Sequence, residues 1–155
     1  MTFVVPFDGS DLSGAALARA GAFGRVLDEP VCAVSVIPVD NRDYARERGW
    51  LEPDENFDLQ SIVSRLHEQV TARCPSADFN HSVVDRYAPQ GSISLRLRRI
   101  AKDVDASMVF IGSENAGRLV SSMSSVGSGI AADDAYDVVI IRHPGPSKVA
   151  TLRDR

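Results

Sequence analysis

Two stretches of the chain carry residue types able to hold a small ligand. The first is Pro6-Phe7-Asp8-Gly9-Ser10-Asp11. It follows a short β-branched run, so Asp8 offers a carboxylate acceptor at the end of a strand. Gly9 and Ser10 suit a turn into a helix, with Ser10 as its N-cap. The second begins at Gly112-Ser113-Glu114-Asn115-Ala116-Gly117-Arg118 and continues as Ser121-Ser122-Met123-Ser124-Ser125-Val126-Gly127-Ser128-Gly129 before Ile130-Ala131-Ala132, a short helical stretch. Small side chains ahead of a helix let main-chain N–H groups approach an anion, and the helix dipole adds roughly 0.3–1 kcal/mol. Each stretch also has a plainer reading, the first as turn and cap, the second as a connecting loop.

Other chemistries find no matching constellation. His67, His81 and His143 are scattered, with no spacing that suits a metal. Ser128 has Val126 where a nucleophile-elbow serine needs glycine. The Walker A pattern and a G-x-G-x-x-G after the first strand are both absent. No nucleophile, general base or metal is assigned, and the chain is not read as an enzyme. Arg96, Arg98, Arg99 and Lys102 form a solvated helix face balanced by Asp103 and Asp105.

The elements that must position the two stretches follow from apolar periodicity. Phe3-Val4-Val5 reads as a strand stopping at Pro6, and Val31 to Ile37 as a strand covered on both faces, broken only by Ser35. Phe79 to Val84 alternates and suits a sheet edge; Met108 to Ile111 and Val138 to Ile141 are short apolar strands. Between them run helical stripes: Leu12, Ala15, Ala16, Ala20, Phe23, Val26 and Leu27; then Leu59, Ile62, Val63, Leu66 and Val70; then Ile93, Leu97, Ile100 and Val104. The pattern lapses between Asn41 and Asp58, where Tyr44, Trp50, Leu51 and Phe57 sit among charges. Packing of these aromatics onto the sheet edge is preferred there to a lid or partner surface. Strand alternating with helix predicts an α/β domain, a doubly wound parallel sheet of five strands with helices on both faces. In such sheets ligands sit beyond the carboxyl ends of the strands, where the strand order reverses.

With 155 residues, 44% hydrophobic and 25% charged, the chain suits one globular domain and excludes a disordered or collagen-like chain. A net charge of −4 has the wrong sign for general nucleic-acid binding. The 15 Arg against 2 Lys and 15 Asp against 6 Glu fit either a high-salt source or a GC-rich genome. No apolar run is long enough for a membrane span, and the N-terminus lacks the features of a signal peptide. Cys32 and Cys74 therefore read as reduced, packed thiols in a cytoplasmic protein.

Taken in order, Val4-Val5-Pro6-Phe7-Asp8-Gly9-Ser10, Val34-Ser35-Val36-Ile37, Val109-Phe110-Ile111-Gly112-Ser113, the serine-rich loop and Asp137-Val138-Val139-Ile140-Ile141 resemble the universal stress protein family over residues 2 to 143. The resemblance implies a Rossmann-like sheet of order 3-2-1-4-5 and homodimers, over a chain that reads as one domain, 1–143, with a loose tail over 144–155 opening at Pro144-Gly145-Pro146. In one branch of the family it also implies ATP, bound between the first and fourth strands. By position, Asp8 would contact the adenine, and Pro6 with Val36 or Ile37 would line its pocket. Ile111 and Gly112 would lie against the ribose and first phosphate. Asn115, Gly117, Arg118, Ser124, Ser125 and Val126 complete the implied set. The ATP-binding branch shows G-x2-G-x9-G-[ST]. Here Gly112 keeps the first glycine and Asn115 replaces the second, while the last pair is Ser124-Ser125 or Gly127-Ser128, with spacing to the final strand favouring the former. Asn tolerates a left-handed backbone better than other non-glycine residues. Glu114 opposes a triphosphate, and Arg118 can offset it.

The expectation is thus a stress-response dimer, paired through Val138 to Ile141, that takes ATP or AMP, with Mg²⁺ accompanying ATP. Two rivals stand beside it. One is a dimeric interaction module whose altered loop takes no nucleotide. The other is a slow ATP-hydrolysing enzyme with Asp8 or Ser125 at the reactive end and Glu114 as the only nearby acid for a metal.

Overall fold

Strand β1 (Thr2–Pro6) is buried from Phe3 onward and ends at a residue with no N–H to continue a ladder. The structure is a computed structural model that describes residues 1–114 and 136–145. Helix α1 (Asp11–Leu27) opens at Ser10, whose hydroxyl accepts from the Ser13 N–H at 3.2 Å. It closes at Asp28, held in the left-handed region at φ 55°. The remaining elements are β2 (Val31–Pro38), α2 (Arg42–Glu47), α3 (Leu59–Arg73), β3 (Asp78–Val84), α4 (Gln90–Asp103), β4 (Ala106–Gly112) and β5 (Asp137–Ile141).

The five strands form one parallel sheet in the order β3-β2-β1-β4-β5. This is the doubly wound architecture expected from the sequence. The chain first steps outward from β1 through β2 to β3, then returns across β1 to β4, so the order reverses at β1. Period-two alternation sorts the strand residues onto two faces. Phe3, Val5, Ile37 and Phe110 pack with Leu17, Ile62, Leu66 and Val70 of α1 and α3. Val4, Val34, Val36, Val109 and Ile111 pack with Ile93, Leu97 and Ala101 of α4 and with Tyr136. All eight residues of β2 are buried, whereas β3 alternates and exposes Asp78, Asn80 and His81 as a sheet edge does.

One expectation for α1 needs correction. Val26 and Leu27 belong to the periodic stripe but are 60% and 54% exposed. A Cβ on Gly24 would lie 2.7 Å from the Glu29 carbonyl oxygen and 3.1 Å from Val31 Cγ2. The chain therefore turns back beneath Gly24 into the first residue of β2, and the last turn of α1 overhangs the sheet. The apolar face instead uses Ala15, Ala16, Leu17 and Ala20.

The segment where periodicity lapsed is ordered by polar contacts. Asn41 caps the short α2 by accepting from the Tyr44 N–H at 3.0 Å, and its amide donates to the Arg86 carbonyl at 2.8 Å. After β5, Arg19 donates to the carbonyls of His143 and Gly145 at 3.1 and 2.8 Å, fixing the chain against α1. Among the described residues, no helix is long and apolar enough to cross a membrane.

Candidate functional site

The loop leaving β1 is held by its neighbours on every side. The Phe7 N–H donates to the Val34 carbonyl at 2.8 Å, and the Ser35 hydroxyl donates to the Phe7 carbonyl at 2.6 Å. Ser35 is 1% exposed, so the one polar residue in the apolar run of β2 is a buried tie to this loop. Asp8 Oδ1 accepts from the Ser10 N–H at 3.0 Å, an Asx turn that leads into the α1 cap. Gly9 sits at φ +84°, the left-handed region that favours glycine. Asp8 is thereby held at the carboxyl end of the central strand, half-buried.

A cleft opens beside it, lined by Pro6, Phe7, Asp8, Val34, Val36, Tyr44, Trp50, Ile93 and Leu97. Its walls are the ends of β1 and β2, the first turns of α4, and two aromatic residues from the segment between β2 and α3. Val36 is on the cleft side. Ile37, its sequence-level alternative, faces the opposite core with α1 and α3, because neighbouring strand residues point to opposite faces. Ile111 belongs to the same core as Val36, and Gly112 lies against α1. A Cβ on Gly112 would come within 2.8 Å of Leu12 Cβ and 3.1 Å of the Leu12 carbonyl carbon. Gly112 is therefore required by close packing of β4 on the start of α1, whatever else it does. Asn115, Gly117, Arg118, Ser124, Ser125 and Val126 lie outside the described residues.

Trp50 is the residue that sequence reasoning placed differently. It was expected to pack its loop on the sheet edge, but it lies over the end of the central strand. The indole N–H donates to the Asp8 carbonyl at 2.7 Å, and the side chain is only 3% exposed. Tyr44 meets it edge-on with ring centroids 5.7 Å apart, and the Arg48 guanidinium stacks 3.5 Å over the Tyr44 ring. Arg65 of α3 secures the segment from outside. One of its nitrogens donates to the Trp50 carbonyl at 2.7 Å, and the guanidinium grips Glu55 through two bonds of 2.9 and 2.8 Å. Arg65 holds the Glu55 carboxyl below the usual glutamate range, with the Glu52 N–H adding to the effect. Only the spacing of aromatics among charges hinted at this arrangement.

The chemistry of the cleft is that of a base pocket: apolar walls, a carboxylate and aromatic rings. Its volume is not. At about 30 Å³ it has room for one or two water molecules rather than a purine. Among the described residues, no three His, Cys, Asp or Glu side chains converge as a metal site would require. Cys32 and Cys74 are both buried and unpaired, and burial pushes the Cys32 thiol up despite the Asn80 amide that donates to it at 3.2 Å.

Residues 1–143 match the model of the universal stress protein family. The chain belongs to that family. Solved universal stress proteins share its fold at low identity. One in complex with cAMP is 21% identical with a TM-score of 0.54, covering 94% of this chain and 98% of its own. The protein from Archaeoglobus fulgidus in complex with dAMP is 19% identical with a TM-score of 0.51, over 92% of this chain and 98% of its own. UspA from Lactobacillus plantarum is 18% identical with a TM-score of 0.51, over 92% and 97%. At these identities the likeness establishes the fold. No curated protein sequence matches the chain. In this universal stress protein the strand order reverses at β1, the place where sheets of this architecture hold ligands.

Proposed function

We propose that this universal stress protein is a stress-response homodimer that binds an adenine nucleotide at the carboxyl ends of β1 and β4. The observation that carries the reading is that Pro6 at the end of β1, Asp8 of the loop after it and Val36 of β2, 28 positions beyond Asp8, line one cleft beside the point where strand order reverses. Asp8 supplies an acceptor for the amino group of the base, and the apolar walls exclude water from its faces. The phosphates run along the loop that begins at Gly112 and includes Asn115, Gly117, Arg118, Ser124, Ser125 and Val126, with Mg²⁺ accompanying ATP. Solved relatives in complex with cAMP and dAMP support the same ligand class. The dimer forms through β5, an edge strand whose Ile140 is 42% exposed beside half-buried Val138 and Val139.

The test is calorimetric titration of ATP and AMP, with Mg²⁺, into the wild type and Asp8→Ala. Heat from the wild type at submillimolar nucleotide, with affinity reduced about tenfold or more by the substitution, is expected, since a lost charge-assisted hydrogen bond costs about 1.5–3 kcal/mol. Thermal melting of Asp8→Ala guards against mere unfolding. No heat from the wild type or from a variant with an opened cleft, at millimolar nucleotide, overturns the reading. A second reading, an interaction module without nucleotide, is favoured by one observation, the small volume of the cleft, about 30 Å³.

A further inference from the structure

Resting on the nucleotide-binding reading above, we infer that Trp50 is a built-in competitor for the base, held in the cleft by the Arg65–Glu55 latch. Three observations converge on this. First, the indole lies in the wall of the same cleft as Asp8, Pro6 and Val36, whose volume of about 30 Å³ is far less than a purine fills. Second, the indole behaves as a bound heteroaromatic does: it is 3% exposed, meets another ring edge-on, and spends its only donor on the Asp8 carbonyl at 2.7 Å. Third, the segment bearing it is tied to α3 through Arg65, beside the Asp58 cap at the start of that helix. Arg65 reaches both the Trp50 carbonyl and the Glu55 carboxylate, so one side chain ties the aromatic and its loop together. The latch is at the rim, with Arg65 and Glu55 side chains 40% and 27% exposed, where a change of surroundings or a partner can reach it.

The consequence is quantitative. A nucleotide that binds only the open form sees its affinity divided by the open fraction. A form closed in about nine molecules of ten weakens binding about tenfold, and whatever releases Arg65 from Glu55 restores it. The fold therefore carries a means of tuning ligand affinity that leaves Asp8 and the loop after β4 untouched.

The experiment compares AMP binding by calorimetry in the wild type, Glu55→Gln and Trp50→Phe at neutral pH, while Trp50 emission is followed in the first two. Trp50 is the sole tryptophan, so its emission reports this cleft alone. Glu55→Gln leaves the buried residues intact and keeps the proposal testable should Trp50→Phe fail to fold. The expected result is severalfold to about tenfold tighter AMP binding by Glu55→Gln, with red-shifted Trp50 emission on saturation in both tryptophan-bearing proteins. Equal affinities with unmoved emission overturn the competitor and leave the nucleotide site standing. Weaker binding by Glu55→Gln and Trp50→Phe also overturns it, because Trp50 would then be a wall of the base pocket. Absence of heat from all three proteins at millimolar AMP overturns the nucleotide site, and the competitor with it.

Discussion

Gly112 illustrates how one residue can satisfy both a motif and a packing demand. It stands where the proposed phosphate loop would begin, yet its lack of a side chain is already required by Leu12, whose main chain and Cβ would collide with any substituent. Gly112→Ala should lose about 1–3 kcal/mol in denaturant unfolding with an unchanged m-value, as overpacking does. Gly91→Ala, at a position in α4 with nothing within 4 Å of the added methyl, should instead gain about 0.4–1 kcal/mol. Ser35 is a second case. Its hydroxyl is the buried tie between β2 and the loop carrying Asp8, so Ser35→Ala should cost about 1–2 kcal/mol and weaken nucleotide binding. A wild-type-like melting curve for Ser35→Ala would show that Phe7 finds another donor. These residues were legible in different degrees. Asp8 and Gly112 were identifiable from type and position after β-branched runs. Ser35 looked like an interruption, because its partner, Phe7, is 28 positions away and only the sheet brings them together.

Among the elements, those with strong apolar periods were readable and the segment between β2 and α3 was not. β1, β2, β4, α3 and α4 bury their stripes in one contiguous core on each face, so local pattern and tertiary packing agree. The stretch from Asn41 to Asp58 is positioned by an Asn cap, a guanidinium–carboxylate pair and one indole, none of which has a period. Its stability should depend on pH through Glu55. Because Arg65 lowers the folded-state pKa of this carboxyl, the stabilisation is fully present above the usual glutamate value of about 4.3 and is lost as the pH falls through the lowered folded value. Acrylamide quenching of Trp50 should therefore rise on acidification below that range in the wild type. In Glu55→Gln, which has no such proton to take up, quenching should already be higher at neutral pH and change less. Parallel curves would mean that the latch does not hold the indole. Glu52 and Asp58 also face Arg65, and the Gln variant serves to separate their titration from that of Glu55.

For the whole molecule, the alternation of strands and helices made the parallel sheet legible, while the 3-2-1-4-5 order came from the family resemblance and is the order observed. The two edges of that sheet differ in character. β3 presents Asp78, Asn80 and His81 beside Val83 at 41% exposure, whereas β5 presents one charge, Asp137, with Ile140 at 42% exposure beside half-buried Val138 and Val139. Sedimentation equilibrium should give twice the chain mass for the wild type at micromolar concentration and the chain mass for Ile140→Lys. A monomeric wild type would remove the dimer from the proposed function without touching the cleft. The nucleotide site itself is most directly tested by the single indole N–H resonance of Trp50 in a ¹⁵N-labelled sample. That proton is hydrogen-bonded to the Asp8 carbonyl. Titration with AMP should move the resonance to saturation in the wild type and do so only at about tenfold or more higher AMP in Asp8→Ala. A wild-type resonance unmoved while AMP binding is seen by calorimetry would put the nucleotide elsewhere, and one unmoved with no heat at all at millimolar AMP would contradict the site.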